Sequence, residues 1–439
     1  MVLTMKNQTK LYMALLAAGC AKIAEGPNPD FAMSDQASAK VPMWGWTRQV
    51  GTKGTDDANG IATDSAGNTY VAGYTEGVLD GSKNAGGWDI LLLKYDSDGN
   101  KVWARQLGTK DVDAANGVAT DGDGNVYVTG ATFGGLDGNT AVGAGDLFLL
   151  KYDSAGTKLW SRQFGTSGLD NATAVAVDGS GNVYVAGTTE GALEGNLSEG
   201  KSDFFLIKYD GTGTRLWTRQ FGTAQEESAF GVASDGSGNV FVTGWTKGGL
   251  DGNSPAGEYD LFLAKYNGMG TRLWTRQLGT TSQDNALSVA TDGTGNSYVT
   301  GQTQGALDGN QSAGSVDGFL VKYGSDGTKS WSRQFGTTAA DRAFGVATDA
   351  AGNVWLAGST LGALNGNTSA GGEDLFLTQF DSAGSPVRSL QLGTAAPDRA
   401  HCVATDGKGR VYVAGHTSGG LADNSNLGVE DIFLSQVTN

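Results

Sequence analysis

Apolar and polar residues alternate along short segments of this chain, and turn residues separate the segments. Residues 60–64 alternate small and β-branched side chains, and residues 68–73 continue the pattern after a Ser-Ala-Gly turn. Residues 89–95 are almost continuously apolar, and residues 101–107 alternate again. Alternation predicts half-buried strands, and a short continuous apolar run predicts a strand buried on both faces. The pattern therefore predicts four antiparallel strands, A to D.

This four-strand unit repeats at a fixed spacing. The sequence Trp-x-Arg-Gln-apolar-Gly-Thr marks strand D, and its Trp recurs every 57 residues at Trp46, Trp103, Trp160, Trp217, Trp274 and Trp331. One further step reaches Arg388, where the Trp and Arg of the motif are lost but residues 391–394 keep the frame. A constant period of this size is typical of repeat architectures, in which each unit buries its apolar faces against its neighbours.

The same core positions are filled in every unit. Strand A repeats a small residue at Ala62, Ala119, Ala176, Ala233, Ala290, Ala347 and Ala404. Strand B repeats an aromatic residue at Tyr70, Tyr127, Tyr184, Phe241, Tyr298, Trp355 and Tyr412. Small residues suit the crowded centre of a ring, and aromatic residues suit the wider gaps between sheets farther out. The units are therefore expected to surround a common axis.

The strand count predicts that the ring closes. Strands A, B and C occur seven times, and the chain stops before a seventh strand D. An additional D strand, residues 46–50, precedes the first strand A and can complete the last sheet. Closure removes exposed sheet edges. The predicted fold is an all-β, seven-bladed β-propeller with four antiparallel strands per blade, whose N-terminal outer strand completes the last blade.

Residues 117–130 (GVATDGDGNVYVTG) and 146–153 (DLFLLKYD) carry a family resemblance. They resemble the bacterial seven-bladed β-propeller repeat family, and the resemblance extends from about residue 41 to the end. It implies a secreted or surface-exposed propeller and supplies no defined activity.

The N-terminus has the features of an export signal. Lys6 and Lys10 precede an apolar run at residues 11–18, which is too short to span a bilayer. Residues 1–19 are interpreted as a lipoprotein-type signal peptide, Cys20 as the lipidated residue, residues 20–43 as that Cys and a flexible tether, and residues 44–439 as the propeller. An ordinary signal peptide with an incidental Cys is the alternative. Ala21 after the Cys implies, by resemblance to such lipoproteins, an outer-membrane or cell-surface location.

Charge and cysteine content limit the partners. The formal net charge is −16, which disfavours nucleic acid and anionic lipid, so the membrane is reached only through the lipid. The two cysteines are Cys20 and Cys402, so the folded part is expected to form no intrachain disulfide. A monomer is expected.

Two acidic series fall on the edge of the ring that carries the D–A and B–C connections. One lies in the D–A loops, at Asp56, Asp113, Asp170, Glu227, Asp284, Asp341 and Asp398. The other begins the C strands, at Asp89, Asp146, Asp203, Asp260, Asp317, Asp374 and Asp431. For the second series, hydrogen bonds from the residue's own loop are the preferred interpretation. For the first, loop hydrogen bonds are again the preferred interpretation, and the alternative is that the seven carboxylates bind a metal, Ca²⁺ or another hard cation, through oxygen ligands.

The B–C loops are long and share one apolar residue, at Leu79, Leu136, Leu193, Leu250, Leu307, Leu364 and Leu421. This residue predicts that each loop folds back on its blade, and loops gathered on one edge favour a binding surface for a protein or a glycan. A lectin-like propeller would need an aromatic residue in every loop, and the B–C loops show Trp88 and Tyr259 but no aromatic residue that recurs in all seven.

The last blade alone carries His401, Cys402 and His416, which leaves an enzyme with a site in that blade as a second alternative. Cys402 occupies a position held elsewhere by small residues, which favours a buried structural role, and no third catalytic group is evident. The sequence therefore favours a lipid-anchored, exported, non-catalytic propeller that binds or displays a ligand at the bacterial surface.

Overall fold

A computed structural model describes residues 43–438 of the protein. The predicted signal peptide, Cys20 and the tether up to residue 42 lie outside the described residues. Within residues 43–438 the chain forms 28 strands in seven four-stranded antiparallel sheets. This arrangement confirms the predicted seven-bladed propeller.

The strands are numbered in chain order, and β1 (Met43–Val50) comes first. Blade 1 contains β2 (Asp56–Thr63), β3 (Thr69–Thr75), β4 (Asp89–Tyr95) and β5 (Lys101–Leu107). Blade 2 contains β6 (Asp113–Thr120), β7 (Val126–Thr132), β8 (Asp146–Tyr152) and β9 (Lys158–Phe164). Blade 3 contains β10 (Asp170–Val177), β11 (Val183–Thr189), β12 (Asp203–Tyr209) and β13 (Arg215–Phe221).

Blade 4 contains β14 (Glu227–Ser234), β15 (Val240–Thr246), β16 (Asp260–Tyr266) and β17 (Arg272–Leu278). Blade 5 contains β18 (Asp284–Thr291), β19 (Ser297–Thr303), β20 (Asp317–Tyr323) and β21 (Lys329–Phe335). Blade 6 contains β22 (Asp341–Thr348), β23 (Val354–Thr360), β24 (Asp374–Phe380) and β25 (Pro386–Leu392). Blade 7 contains β26 (Asp398–Thr405), β27 (Val411–Thr417) and β28 (Asp431–Thr438), with β1 as its outer strand. Short 3-10 turns in the B–C loops span Leu136–Gly138, Leu193–Gly195, Leu250–Gly252, Leu307–Gly309, Leu364–Gly366 and Leu421–Asp423.

The A strands form the innermost ring, where backbones of neighbouring blades approach closely. A Cβ atom added to Gly60 would lie 3.1 Å from the Cα atom of Gly117, and one added to Gly345 would lie 3.0 Å from that of Cys402. Small residues on strand A are therefore required at this contact. Each A strand also contains a β-bulge, for example between Ala58 and Gly60, which adds one residue that has no partner on strand B.

The hydrophobic cores lie between adjacent blades. In one such core, Tyr70 of blade 1 packs with Val126 and Val128 of blade 2. Tyr70 also contacts Trp103 of its own blade, with ring centroids 6.0 Å apart. The shared leucine of the B–C loops is buried in every blade, which confirms that these loops fold back on the sheets.

In every blade except blade 6, the Trp-x-Arg-Gln motif connects the blade to its own B–C loop and to the next blade. In blade 1, the Gln106 amide donates to the Gly77 carbonyl and to Asp89, and its oxygen accepts from the Leu79 amide. Arg105 stacks on Trp103 at 5.0 Å and donates from Nε to the Gly156 carbonyl in the C–D turn of blade 2, at 2.7 Å. The motif is therefore a structural connection, and its recurrence follows from the ring.

Strand β1 makes the same contacts for blade 7. It pairs with β28 in antiparallel register from Met43 opposite Thr438 to Val50 opposite Ile432. Gln49 donates to Asp431 at 2.9 Å, and Arg48 donates to the Gly99 carbonyl of blade 1 at 2.8 Å. The predicted closure by the N-terminal strand is confirmed.

The loss of the motif in β25 has a structural reason. In the other blades the motif Arg bonds to the C–D turn of the following blade, as Arg333 of blade 5 does with Gly384 of blade 6. Blade 7 has no C–D turn, because its strands β28 and β1 come from opposite parts of the chain. Leu390 therefore stands where an Arg would have no partner, and Arg388, at the Trp position, lies 4.6 Å from the Trp355 ring.

Among residues 43–438, no helix has both the length and the apolar character needed to cross a membrane.

Candidate functional site

The two edges of the ring differ in the connections they carry. The D–A loops and the long B–C loops lie on one edge, called here the long-loop rim. The A–B and C–D turns lie on the other, called the short-turn rim. Both acidic series from the sequence lie on the long-loop rim, where strands A and C begin.

The carboxylates of the D–A loops are buried within their own loops. Asp113 accepts hydrogen bonds from the backbone N–H and the hydroxyl of Thr109, at 2.6 and 2.9 Å, and a third from the Thr132 hydroxyl. Burial raises the pKa of the Asp113 carboxyl above its ordinary value, and these bonds oppose the rise. The pKa of Asp341 is raised furthest, to about 6, chiefly by burial. These are the hydrogen bonds that the loop interpretation requires, and Ca²⁺ binding by this series stays a prediction.

The carboxylates at the starts of the C strands accept bonds from their own B–C loops. Asp146 accepts from the Val142 backbone N–H at 2.8 Å and from the Gln163 amide at 2.7 Å. Asp203 makes the corresponding contacts with Glu199 and Gln220. This series therefore holds each B–C loop between its own strand and strand D.

Each rim has positions that repeat, and the long-loop rim also has a set of inner positions that differ between blades. On the short-turn rim, every A–B turn begins with Asp, at Asp64, Asp121, Asp178, Asp235, Asp292, Asp349 and Asp406. On the long-loop rim, the second residue of strand A pairs with the sixth of strand B, and this pair differs in every blade. The pairs are Asp57–Tyr74, Ala114–Ala131, Asn171–Thr188, Ser228–Trp245, Asn285–Gln302, Arg342–Ser359 and Arg399–His416.

The bulge residues of the A strands also differ between blades. They are Asn59, Asn116, Thr173, Phe230, Leu287, Phe344 and His401. In blades 1 to 3 they are polar and bond to the next blade, as Asn59 does with the Ala115 carbonyl at 2.9 Å. In blades 4 to 6 they are apolar. The inner part of the long-loop rim is therefore polar on one side and apolar on the other.

In two of the described blades, an aromatic residue near the end of strand B pairs with one at the end of the B–C loop. In blade 1, Tyr74 stacks on Trp88 with centroids 4.3 Å apart, and Trp88 donates to Glu76. In blade 4, Trp245 meets Tyr259 edge to face at 4.7 Å, and the Lys247 ammonium lies 4.9 Å from the Tyr259 ring. The rim therefore lacks the same aromatic site in each blade.

Charged groups gather where blades 6, 7 and 1 meet. Glu373 of blade 6 accepts from Arg399 of blade 7 at 2.6 Å and lies 3.6 Å from Arg342 of its own blade. Burial alone would raise the pKa of Glu373, but these arginines and a hydrogen bond from Ser359 hold it below its ordinary value. This pairing keeps the glutamate charged in a buried position.

His401 and His416 of blade 7 meet Asp57 of blade 1. The Nδ1 atoms of His416 and His401 lie 3.0 and 3.3 Å from the same oxygen, Oδ1 of Asp57. The two imidazole rings are 4.9 Å apart and nearly perpendicular. Burial alone would raise the pKa of Asp57, but the two imidazoles hold it well below its ordinary value. Burial would lower the pKa of His416, whereas Asp57 raises it.

Cys402 is separate from this contact. Its thiol donates to the Ala414 carbonyl at 3.5 Å, and burial raises its pKa, which disfavours a reactive thiolate. Asp57 was missed by sequence reasoning, because it lies 359 residues from His416. Two features of the sequence could have indicated it. Asp57 is the only acidic residue among those at the second position of strand A, and ring closure makes blade 1 a neighbour of blade 7.

The family model described as "Beta-propeller repeat" matches six segments of the chain: residues 45–80, 102–137, 159–193, 216–251, 273–307 and 330–364. The chain belongs to the beta-propeller repeat family. Each matched segment begins in strand D of one blade and runs through strands A and B of the next. Strand β25, where the Trp and Arg of the motif are lost, follows the last of these segments.

Two curated proteins are similar to parts of this chain. "Regulatory protein FlaEY" of Caulobacter vibrioides is 30% identical over 217 residues, which cover 44% of this chain and 22% of that protein. "Uncharacterized WD repeat-containing protein L264" of Acanthamoeba polyphaga mimivirus is 22% identical, covering 84% of this chain and 36% of that protein. The matched regions span between about a fifth and about a third of these relatives.

One solved structure, titled "Crystal Structure of Mitotic Checkpoint Complex", contains a chain of similar shape. The TM-score is 0.52 at 12% sequence identity, and the match covers 96% of this chain and 99% of that one. At this identity the similarity shows the propeller fold alone.

Proposed function

We propose that this protein is an exported, lipid-anchored, non-catalytic propeller that binds a partner protein through its long-loop rim. The observation that carries the proposal is the variation between blades at the inner positions of the long-loop rim. Positions that hold the fold repeat around the ring, whereas the inner pairs and bulge residues of the long-loop rim differ from blade to blade. The shared fold does not fix residues that differ between equivalent blades, so these positions are where a specific binding surface can be built.

The character of the rim favours a single large partner. Charged residues gather at blades 6, 7 and 1, and an aromatic pair flanked by Lys247 and Glu226 lies on blade 4. A partner that contacts several blades at once could use such an asymmetric surface. A lectin-like propeller with near-identical sites would instead need the same aromatic residue in each blade. The Caulobacter relative, a regulatory protein by name, also favours binding over catalysis.

The position of β1 supports an orientation for an anchored protein. Met43 pairs with Thr438, at the end of strand β28 that borders the short-turn rim. A tether that precedes Met43 therefore enters on the short-turn rim. If Cys20 carries the lipid, the short-turn rim faces the membrane and the long-loop rim faces away.

The anchor is tested by Cys20→Ala. Membrane fractions of cells that produce the parent are expected to retain the protein, and those producing the variant are expected to release it to the soluble fraction. Detergent partitioning of both proteins measures the difference. Equal retention would contradict the anchor and leave rim binding to be tested alone.

The binding surface is tested by a triple variant of blade 4, Trp245→Ala, Lys247→Ala and Tyr259→Ala. The probe is a detergent extract of the envelope of the source cells, captured on the immobilised propeller after cross-linking. The matched control is Asp123→Ala, an exposed residue of the short-turn rim. A partner retained by the parent and the control but lost by the triple variant supports the proposal. Equal capture by all three would contradict it, and release by free sugars would favour the lectin alternative.

A further inference from the structure

The contact between Asp57, His401 and His416 has the donor set of a transition-metal site. Two imidazoles and one carboxylate suit Zn²⁺ and its neighbours in the first transition row, whereas Ca²⁺ prefers a shell made only of oxygens. Each residue offers one ligand atom, and these atoms all lie within 4.8 Å of one another. Within the described part of the chain, no other group of three such residues converges in this way.

The distances fit a bound ion. Tetrahedral Zn²⁺ sites place nitrogen and oxygen ligands at about 2.0–2.2 Å, which puts neighbouring ligand atoms roughly 3.3–3.5 Å apart. The distances from Asp57 Oδ1 to the two Nδ1 atoms are 3.0 and 3.3 Å, and the three ligand atoms all lie within 4.8 Å of one another. Rotations of these three side chains would bring the ligand atoms to the separations that a bound ion requires.

The three residues come from the two blades that meet at the ring closure. Asp57 lies on β2 of blade 1, and His401 and His416 lie on β26 and β27 of blade 7. The chain contains only two histidines, and both lie in this contact. The bulge in β26 between Ala400 and Cys402 gives His401 its position beside His416. Since Asp57 and His416 are buried and 20% of the His401 side chain is exposed, solvent reaches the contact from the His401 side.

We propose that Asp57, His401 and His416 bind one Zn²⁺ ion, which joins blade 7 to blade 1 at the inner edge of the ring. Three protein ligands leave a fourth position for water or for a group of a bound partner. Two connections would then close the ring: strand β1 at the outer edge of blade 7, and the ion between blades 7 and 1 at the inner edge. Because the site exists only when blades 1 and 7 are in contact, Zn²⁺ stabilises the closed ring by mass action.

The test uses the full chain, purified without a histidine tag and stripped of metal with a chelator. Titration with ZnCl₂ in a calorimeter is expected to show one tight site per chain and a rise in melting temperature. The buffer is held above the ordinary pKa of imidazole, because a metal binds the neutral ring. Replacing Zn²⁺ by Co²⁺ gives a visible spectrum that reports nitrogen ligation and coordination number.

The repeats supply variants that the scaffold already accepts. Other blades show which residues these positions accept. Asp57→Asn, His401→Asn and His416→Gln each introduce the residue that another blade has at the equivalent position, which is Asn171 of blade 3, Asn116 of blade 2 and Gln302 of blade 5. Each is expected to weaken Zn²⁺ binding by roughly tenfold or more, and to change the Co²⁺ spectrum. The matched control is Asn116→Ala, which alters the bulge residue of blade 2 and is expected to leave Zn²⁺ affinity unchanged.

Two results would overturn the proposal. One is the absence of tight Zn²⁺ binding by the parent chain. The other is equal Zn²⁺ affinity in the parent and in the His401→Asn, His416→Gln double variant, which would assign the ion to other carboxylates. Neither result bears on partner binding, because the probe is the metal alone.

Discussion

The two rims of this propeller use carboxylates in opposite ways. On the short-turn rim, Asp178 accepts bonds from the Ser180 and Asn182 backbones and from the Tyr184 hydroxyl, and these bonds hold its pKa below the ordinary value against the effect of burial. On the long-loop rim, burial dominates, and the pKa of Asp341 is raised to about 6. Hydrogen bonds therefore stabilise the charge of Asp178 in its A–B turn, whereas burial makes the charge of the D–A carboxylates costly.

The residues of the repeat fall into two groups, those that maintain the fold and those that differ between blades. The short-turn rim repeats the same Asp around the ring because each turn has the same structural task. The long-loop rim keeps a repeated framework of Thr, Asp and Leu residues and varies the residues beside it. Sites of function in a repeat protein are therefore expected where buried charged groups and differences between repeats coincide, as they do at the contact of blades 7 and 1.

The largest effect is expected from removing β1, which serves both rims. Deleting residues 1–52 removes the Arg48 bond to Gly99 on the short-turn rim and the Gln49 bonds on the long-loop rim, and it exposes the edge of β28. Lost burial of Trp46 and Val50, at roughly 1.5–3 kcal/mol each, predicts a loss of about 4 kcal/mol or more in the free energy of unfolding.

Chemical denaturation of this truncated chain measures that loss. The matched control is a deletion of residues 1–40, which leaves β1 intact and is expected to keep the parent stability. If both truncated chains unfold at the same denaturant concentration, closure by β1 does not stabilise the ring.

A pH effect of intermediate size is expected to have opposite sign on the two rims. Asp341 binds its proton more tightly in the folded state, so its contribution to stability falls as the pH rises from about 4 to about 6, by an amount on the order of 3 kcal/mol. The folded-state pKa of Asp178 is lowered, so its stabilising contribution is present above the unfolded value and is lost as the pH falls.

Asn variants at these two positions test the sign. Asp341→Asn is expected to be better tolerated at pH 7 than at pH 4. Asp178→Asn is expected to be better tolerated below the ordinary pKa of the carboxyl, at about pH 2 to 3, than at pH 7. Denaturant midpoints of parent and variants at these pH values measure the effect. Parallel changes in the two variants would show that the rims do not differ in this respect.

The smallest effect is expected from calcium. If the D–A carboxylates bind Ca²⁺, millimolar CaCl₂ raises the melting temperature more than NaCl of equal ionic strength does. Combining Asp113→Asn with Asp170→Asn is expected to reduce this difference. A calorimetric scan in which the two salts act alike would leave these carboxylates with a purely structural role.

Much of the fold follows from spacing alone. The 57-residue period predicts the blades, the count of strands predicts closure by β1, and the repeated Leu of the B–C loops predicts their packing. These features depend on local alternation of residues and on the similarity of neighbouring repeats, and both can be read from a single sequence. The role of the motif Gln and Arg was not predicted, because their partners lie in a loop and in the next blade.

The site was harder to predict than the fold. The alternation of side chains along a regular strand does not predict the position of His401. The bulge in β26 leaves His401 without a partner on β27 and shifts the pairing of the following residues by one. Asp57 joins the histidines only because the first and last blades become neighbours, and that contact is formed by closure. The recurrence of the acidic D–A residues is visible in the sequence. Their burial and their hydrogen bonds to Thr depend on how the loop folds, and the sequence pattern does not show that.

The altered motif of β25 also bears on how such a chain can grow. A gene segment duplicated within blades 1 to 5 would encode an Arg for the turn of the blade that follows it. A duplicated blade 6 would instead place Leu390 beside an intact turn and leave the carbonyl of that turn without its donor. Recombination is therefore expected to add or remove copies of blades 1 to 5. Blade 6, which precedes the blade that β28 and β1 complete, is expected to keep its position in the chain.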